Sequence, residues 1–278
     1  METLLAHVKN LNISMNTKPK LLITLGCSFT EGVGCYSDES IEWYNSKKDK
    51  LDEPELLSIL RSKNYKLFRD NGWPFLLAKK LKFNKLINMG VGGSSTSGQL
   101  KRFFEKYDEF ELEKYDTTII WLLSPSSRFS KYINQKITDI SIHGRNKSIA
   151  NSYHRLATNT DYVLEQIFTI RCMLELCKSY NINLYFDSWD CYTKDSISTI
   201  CSKYNPLKYI LNHYLNISGI DSIHSTNGYE AVCHHPNQEG YKEMTRLIYE
   251  KLITVDSHIL GNCDNTENEY ISITNTFK

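Results

Sequence analysis

The sequence has no excess charge of either sign and no cysteine pair at metal-binding or redox spacing. Lysine and arginine number 33 against 32 aspartate and glutamate, so the formal net charge is +1. A chain this close to neutral has no overall field to attract nucleic acid or an anionic membrane, and neither partner is predicted. The 8 cysteines include no C-x-x-C pair in a chain of 278 residues, too long to depend on a disulfide scaffold. We therefore expect reduced thiols, no metal and no cofactor.

Long apolar runs are also missing. No stretch approaches the roughly 20 consecutive apolar residues of a membrane-spanning helix. The first twenty residues contain neither a continuous apolar segment nor a small-residue cleavage site, so no signal peptide is predicted. The expected location is the cytoplasm, or a virus particle if the source is viral.

Short apolar runs alternate with segments of helical spacing. Each run is bounded by glycine or polar turns, as buried strands are, and the intervening apolar residues recur three or four apart. This alternation predicts an α/β fold in which helices cover both faces of a parallel sheet. The strands are expected at 21–25, 85–91, 117–123 and 182–189, and the helices at 73–83, 97–107, 161–180 and 237–253.

The expected organisation is one domain over residues 1–255, followed by a polar tail over 256–278 that is either loose or adds an edge to the sheet. Two polar segments, about 36–71 and about 126–159, fit the alternation poorly and are predicted as insertions in loops. Ligands of doubly wound sheets bind beyond the carboxyl ends of the strands, so both insertions are candidate walls of a substrate site.

A serine follows the first predicted strand, in the segment GCSFTEG from Gly26 to Gly32. Glycines allow a sharp turn, and the end of a strand is a place where a nucleophile is exposed, although such a serine can equally cap a helix. Two hundred residues later, the segment HHPNQEGY places His235 directly before the last predicted helix. A histidine can supply the base that Ser28 needs as a nucleophile.

Together these motifs resemble the SGNH hydrolases, also called GDSL-like lipases and esterases, over about residues 21–253. The family's G-D-S block corresponds to Gly26-Cys27-Ser28, which implies that Ser28 is the nucleophile and that its N–H contributes to the oxyanion hole. The N-x-G-x-x-G block is present from Asn88 to Gly93, and the resemblance implies that the N–H of Gly93 is a second oxyanion donor. The resemblance implies a flavodoxin-like three-layer α/β sandwich with a parallel sheet.

The third and last blocks depart from the family pattern. Where the family has the asparagine of G-x-N-D, this chain has Ser126, whose hydroxyl is expected to replace part of the oxyanion hole. The last block, D-x-x-H-P, keeps its histidine and proline, but Val232 occupies the position of the triad acid. Glu230 or Asp221 is expected as the third member, unless a backbone carbonyl orients His235 instead.

The resemblance implies a serine esterase that removes O-acetyl or other short acyl groups from a carbohydrate by a Ser–His mechanism. Its partner would be a small-molecule or glycan ester. Arg128 follows the third predicted strand and could bind a substrate carboxylate or phosphate. Asp187 lies at the end of the fourth predicted strand and could contact sugar hydroxyls, supply the missing acid or cap the next helix. The alternative is a weak or inactive protein of this fold that binds glycans or has a structural role, for instance in a virus particle.

Overall fold

The computed structural model describes residues 18–141, 158–260 and 269–272. Seven strands lie in these ranges: β1 (Lys20–Gly26), β2 (Lys85–Gly90), β3 (Asp116–Leu123), β4 (Arg128–Ile133), β5 (Lys136–Ser141), β6 (Asn183–Ser188) and β7 (Glu269–Ser272). Five of them form a parallel sheet in the order β6-β3-β1-β2-β7, and β4 and β5 form a separate antiparallel hairpin.

Helices cover both faces of this sheet. They are α1 (Ser28–Glu31), α2 (Asp38–Lys47), α3 (Glu53–Asn71), α4 (Trp73–Leu81), α5 (Thr96–Lys106), α6 (Asn159–Ser179), α7 (Cys191–Lys203) and α8 (Gln238–Val255). Short 3₁₀ turns occupy 107–109, 112–114, 205–213, 223–225 and 257–259. No helix in the described ranges has the length and apolar content to cross a membrane.

The core has two halves, one on each side of the sheet. Leu22 of β1 faces the side covered by α3, α4 and α8, whereas Leu21 and Ile23 face the side covered by α5, α6 and α7. All three side chains are fully buried, as expected for the apolar central strand of a parallel sheet. The prediction of a three-layer α/β fold with a parallel sheet is confirmed.

The segments that fit the alternation poorly have regular structure of their own. The segment 36–71 contains α2 and α3, and Leu56, Leu60 and Phe68 form the buried face of α3 at multiples of four residues. The described part of 126–159 contains the hairpin β4–β5, and residues 142–157 lie outside the described ranges. In the polar tail, β7 pairs in parallel with β2 and forms an edge of the sheet.

Candidate active site

Ser28 lies at the carboxyl edge of the sheet, where the central strand β1 turns into α1. Gly26 is required at this turn, because a Cβ there would lie 1.9 Å from the Thr30 hydroxyl. Ser28 is the first residue of α1, and N–H groups in a first helical turn have no acceptor within the helix. The N–H groups of Thr30 and Glu31 donate to the Cys27 carbonyl, so the turn leaves a half-buried serine side chain beside the N–H groups of Ser28 and Phe29.

His235 is brought to Ser28 from 207 residues away along the chain, and its Nε2 lies 2.7 Å from the Ser28 Oγ. The other ring nitrogen, Nδ1, lies 2.8 Å from the backbone carbonyl oxygen of Cys233. A carbonyl oxygen only accepts hydrogen bonds, so Nδ1 carries the proton and Nε2 is free to accept the proton of the serine hydroxyl. This is the tautomer that a general base needs.

The loop that carries His235 is a tight turn. His234 has a left-handed backbone (φ +57°), the Ala231 N–H donates to the His235 carbonyl at 2.8 Å, and Glu230 pairs with Pro236 in an isolated bridge. Asn237 then caps α8 by accepting a hydrogen bond from the Gly240 N–H. The turn is anchored on the helix that follows, and it sets the position of the imidazole.

Neither proposed acid is brought to the His235 ring. The Glu230 carboxylate lies 2.5 Å from Nδ1 of the exposed neighbour His234. Asp221 lies 3.8 Å from the Lys194 ammonium. Of the expectations for orienting His235, the geometry matches the backbone carbonyl.

The surroundings of His235 disfavour its charged form. Burial is the main cause that lowers the pKa of His235 to about 4; Arg128, His224 and Arg61 act in the same direction, and the hydrogen bond to the Cys233 carbonyl opposes them. The imidazole is therefore neutral at pH 7 and can accept a proton, but it holds that proton weakly.

Aromatic side chains form a platform beside the dyad. The rings of Phe29 and Trp189 stack with centroids 4.2 Å apart and planes at 7°, and Phe29 also lies 5.3 Å from the His235 ring. The Trp189 indole N–H donates to the Cys27 sulfur at 3.2 Å. Cys27 thus helps to fix the platform. Trp189 was not among the residues predicted for the site, although it directly follows β6 at the same edge of the sheet.

The loop after β2 is held by Glu31. Its buried carboxylate accepts a hydrogen bond from the Gly92 N–H at 2.7 Å and forms an ion pair with Arg61 of α3. Gly93 has a left-handed backbone (φ +77°), and its N–H donates to no acceptor in the described part of the chain. The N–H of Gly93 is therefore available to an oxyanion. Asn88, by contrast, has a structural role, since its amide donates to the Thr30 carbonyl at 2.9 Å.

Ser126 and Asp187 are placed differently. Ser126 is buried between β3 and β4, and its N–H donates to the Thr193 hydroxyl at 3.0 Å. The oxygens of Asp187 accept from the N–H groups of Ser188 (2.7 Å) and Ile217 (2.6 Å). Burial raises the pKa of Asp187 to about 6, an effect that nearby Lys194 opposes. Asp187 thus ties the chain around Ile217 to β6, and the structure does not bring it to Ser28.

No family model and no curated protein matches the chain. Among solved structures, it is similar to an acetyl xylan esterase from the rumen bacterium Butyrivibrio proteoclasticus, with 12% identity and a TM-score of 0.49. The similarity covers 86% of this chain and 64% of that chain, so this chain spans less than two thirds of that enzyme's length. A similarity at this level identifies neither a family nor a substrate.

Proposed function

We propose that the protein is a serine esterase of the SGNH type that removes O-acetyl or other short acyl groups from a carbohydrate. The observation that supports this best is the 2.7 Å contact between Ser28 Oγ and His235 Nε2 at the carboxyl edge of the sheet. The ring tautomer, the free N–H of Gly93 and the residues matched to the SGNH blocks all agree with it.

In the proposed reaction, the Ser28 oxygen attacks the ester carbonyl while its proton moves to His235 Nε2. The N–H groups of Ser28 and Gly93, with the Ser126 hydroxyl as a further candidate, stabilise the negative oxygen of the tetrahedral intermediate. Collapse of the intermediate breaks the bond to the alcohol, which takes the proton from His235. Water then attacks the acyl-serine with His235 again as the base, releasing the acid and restoring Ser28.

A second candidate function is glycan binding or a structural role with little or no catalysis. It is favoured by the bond from His235 to the carbonyl of Cys233, where the triad would have a carboxylate. A carbonyl keeps the ring in the correct tautomer but carries no full negative charge, so it does not stabilise the imidazolium as a triad acid does. The weakly basic His235 is consistent with a slow enzyme.

The deciding experiment measures hydrolysis of p-nitrophenyl acetate by the wild-type protein, by Ser28→Ala and by Ser62→Ala. Ser62 is an exposed serine of α3, so its variant controls for the substitution itself. An esterase predicts turnover that is lost in Ser28→Ala and kept in Ser62→Ala. Equal rates in all three proteins would contradict the esterase and favour the binding role.

Covalent labelling provides a second, more sensitive readout. A fluorophosphonate should add one phosphonyl group to Ser28, located by mass spectrometry of the digested protein, because an activated serine attacks phosphorus in the way it attacks an ester carbonyl. Labelling at Ser28 that disappears in His235→Ala would support an activated nucleophile even where turnover is slow.

A further inference from the structure

Arg128 lies at the edge of the candidate active site and has no anionic partner among the described residues. It begins β4, and its guanidinium carbon lies 5.9 Å from the centre of the Trp189 ring, on the platform that Trp189 forms with Phe29. No carboxylate in the described ranges lies within 4.0 Å of its guanidinium. The Nη1 atom is buried and has no hydrogen-bond partner, whereas Nε and Nη2 keep accessible surface and make no hydrogen bond to the described residues. Glu165 lines the same small cavity without forming an ion pair with Arg128.

An unpaired buried N–H of a guanidinium is costly to the fold. A charged donor that is desolvated without an acceptor destabilises the folded state, and buried polar groups are rarely left so. The Trp189 ring, 5.9 Å from the guanidinium carbon, interacts with the charge but accepts none of the N–H donors at the edges of the group. A ligand cannot reach the buried Nη1, but the accessible Nε and Nη2 lie side by side and are open to an acceptor from outside the described chain.

The strand order places Arg128 on a defined side of the nucleophile. Because β1 lies between β2 and β3, the loops after β2 and β3 lie on opposite sides of Ser28. Gly93 follows β2, and Arg128 follows β3. If the carbonyl oxygen is bound by the N–H groups of Ser28 and Gly93, without the Ser126 hydroxyl, the β3 side of Ser28 is open to the rest of the substrate, toward Arg128 and the platform.

We propose that the substrate carries a carboxylate close to the scissile ester and that Arg128 binds this carboxylate through two parallel N–H···O bonds. The inference rests on the proposed esterase function and narrows its substrate class to acidic esters, such as acylated uronic acids. A guanidinium matches a carboxylate in geometry as well as in charge, which favours this ligand over a neutral sugar.

The bound carboxylate would also replace part of what the missing triad acid supplies. The groups that act electrostatically on His235 include the cations Arg128 and Arg61, and the partner of its Nδ1 is an uncharged carbonyl. A carboxylate paired with Arg128 cancels one of these positive charges. His235 then holds the serine proton more firmly, and the imidazolium formed in the transition state is less disfavoured.

Binding can be tested without any turnover. The pKa of the His235 ring is followed by NMR in the presence of D-glucuronate, with D-glucose as the neutral control, and of benzoate, with benzamide as the control. We expect at least one carboxylate to raise the pKa of His235 while its neutral counterpart leaves it unchanged. The rise should disappear in Arg128→Gln and persist in Arg69→Gln, an exposed arginine paired with Asp70. No rise with either carboxylate in the wild-type protein would overturn the proposal.

Kinetics give an independent test. The ratio of kcat/KM for 4-acetoxybenzoate to that for its methyl ester should fall about 10- to 100-fold in Arg128→Gln, the range for a charge-assisted hydrogen bond, and less in Arg128→Lys. An unchanged ratio would contradict the carboxylate site. If the wild-type protein hydrolyses neither ester, the esterase proposal fails, and the NMR titration decides the carboxylate site separately.

Discussion

His235 donates its Nδ1 proton to the backbone carbonyl of Cys233, 2.8 Å away and only two residues earlier in the chain. The imidazole is therefore oriented by a group within the same tight turn. A triad acid would orient it with a charged side chain instead. The carbonyl fixes the tautomer at little cost in desolvation, but it contributes no charge. The consequences of that difference can be measured.

Two adjacent histidines in this turn should differ sharply in function. His235→Ala should lower kcat for p-nitrophenyl acetate by about 10²- to 10⁴-fold, because Ser28 loses its general base. His234→Asn is the matched control, because asparagine tolerates the left-handed backbone at this position and, within the described ranges, the exposed His234 ring bonds only to Glu230. It should leave kcat within about twofold of wild type. Equal losses in the two variants would mean that the turn, and not the base, determines the rate.

The acid limb of the pH–rate profile should have its midpoint well below the ordinary pKa of a histidine. Only the neutral imidazole can accept the serine proton, and burial lowers the pKa of His235 from 6.5 to about 4. Activity is therefore lost as the pH falls through about 4, and kcat/KM for p-nitrophenyl acetate should be flat between pH 5.5 and 7.5. An acid limb with a midpoint near 6.5 would contradict the buried, cation-flanked environment of the ring.

Much of the fold could be predicted because the sheet strands are continuous apolar runs. The runs at 21–25 and 117–123 lie within β1 and β3, and both strands are almost entirely buried. The helix α3 was harder to predict, since its buried residues Leu56, Leu60 and Phe68 are separated by charged residues on the exposed face. A helix with such a narrow apolar stripe in a polar segment is difficult to distinguish from a loop by sequence.

The candidate site was predictable where one residue and its neighbours in sequence determine the geometry. The serine at the end of β1 and the histidine before α8 have local motifs, and the structure brings them together. The stack of Phe29 on Trp189 joins residues of different elements. The bond from His235 to Cys233 depends on the positive φ of His234. Neither the aromatic stack nor the geometry of this bond can be predicted from a pattern of residue types.

Glu31 should act as a positioning residue for the oxyanion loop. Glu31→Ala removes the acceptor of the Gly92 N–H and the partner of Arg61, so the N–H of Gly93 loses its fixed direction. We expect kcat to fall about 10- to 100-fold with little change in KM, because misplacement of an oxyanion donor affects the transition state more than the ground state. Glu31→Gln keeps an acceptor for Gly92 and should recover part of kcat.

The control for Glu31 separates positioning from stability. Both variants lose the ion pair with Arg61, so both should melt at a lower temperature than the wild-type protein. The pair of variants is compared at a temperature where circular dichroism shows each to be folded. A kcat that is equally low in Glu31→Ala and Glu31→Gln would assign the effect to the ion pair and not to the Gly92 bond.

A carboxylate introduced at position 232 should make His235 a stronger base. Val232 occupies the position that the resemblance gives to the triad aspartate, and Val232→Asp would place a carboxylate in the turn that carries His235. A negative charge near the ring favours the imidazolium, so the acid limb of kcat/KM should move from about 4 toward higher pH. The plateau should rise at least tenfold, since the imidazolium formed in the transition state gains a counter-charge. Val232→Asn has the same shape without the charge and should produce neither change. If the aspartate and asparagine variants behave alike, the carboxylate does not reach His235, and the carbonyl of Cys233 remains the group that orients the base.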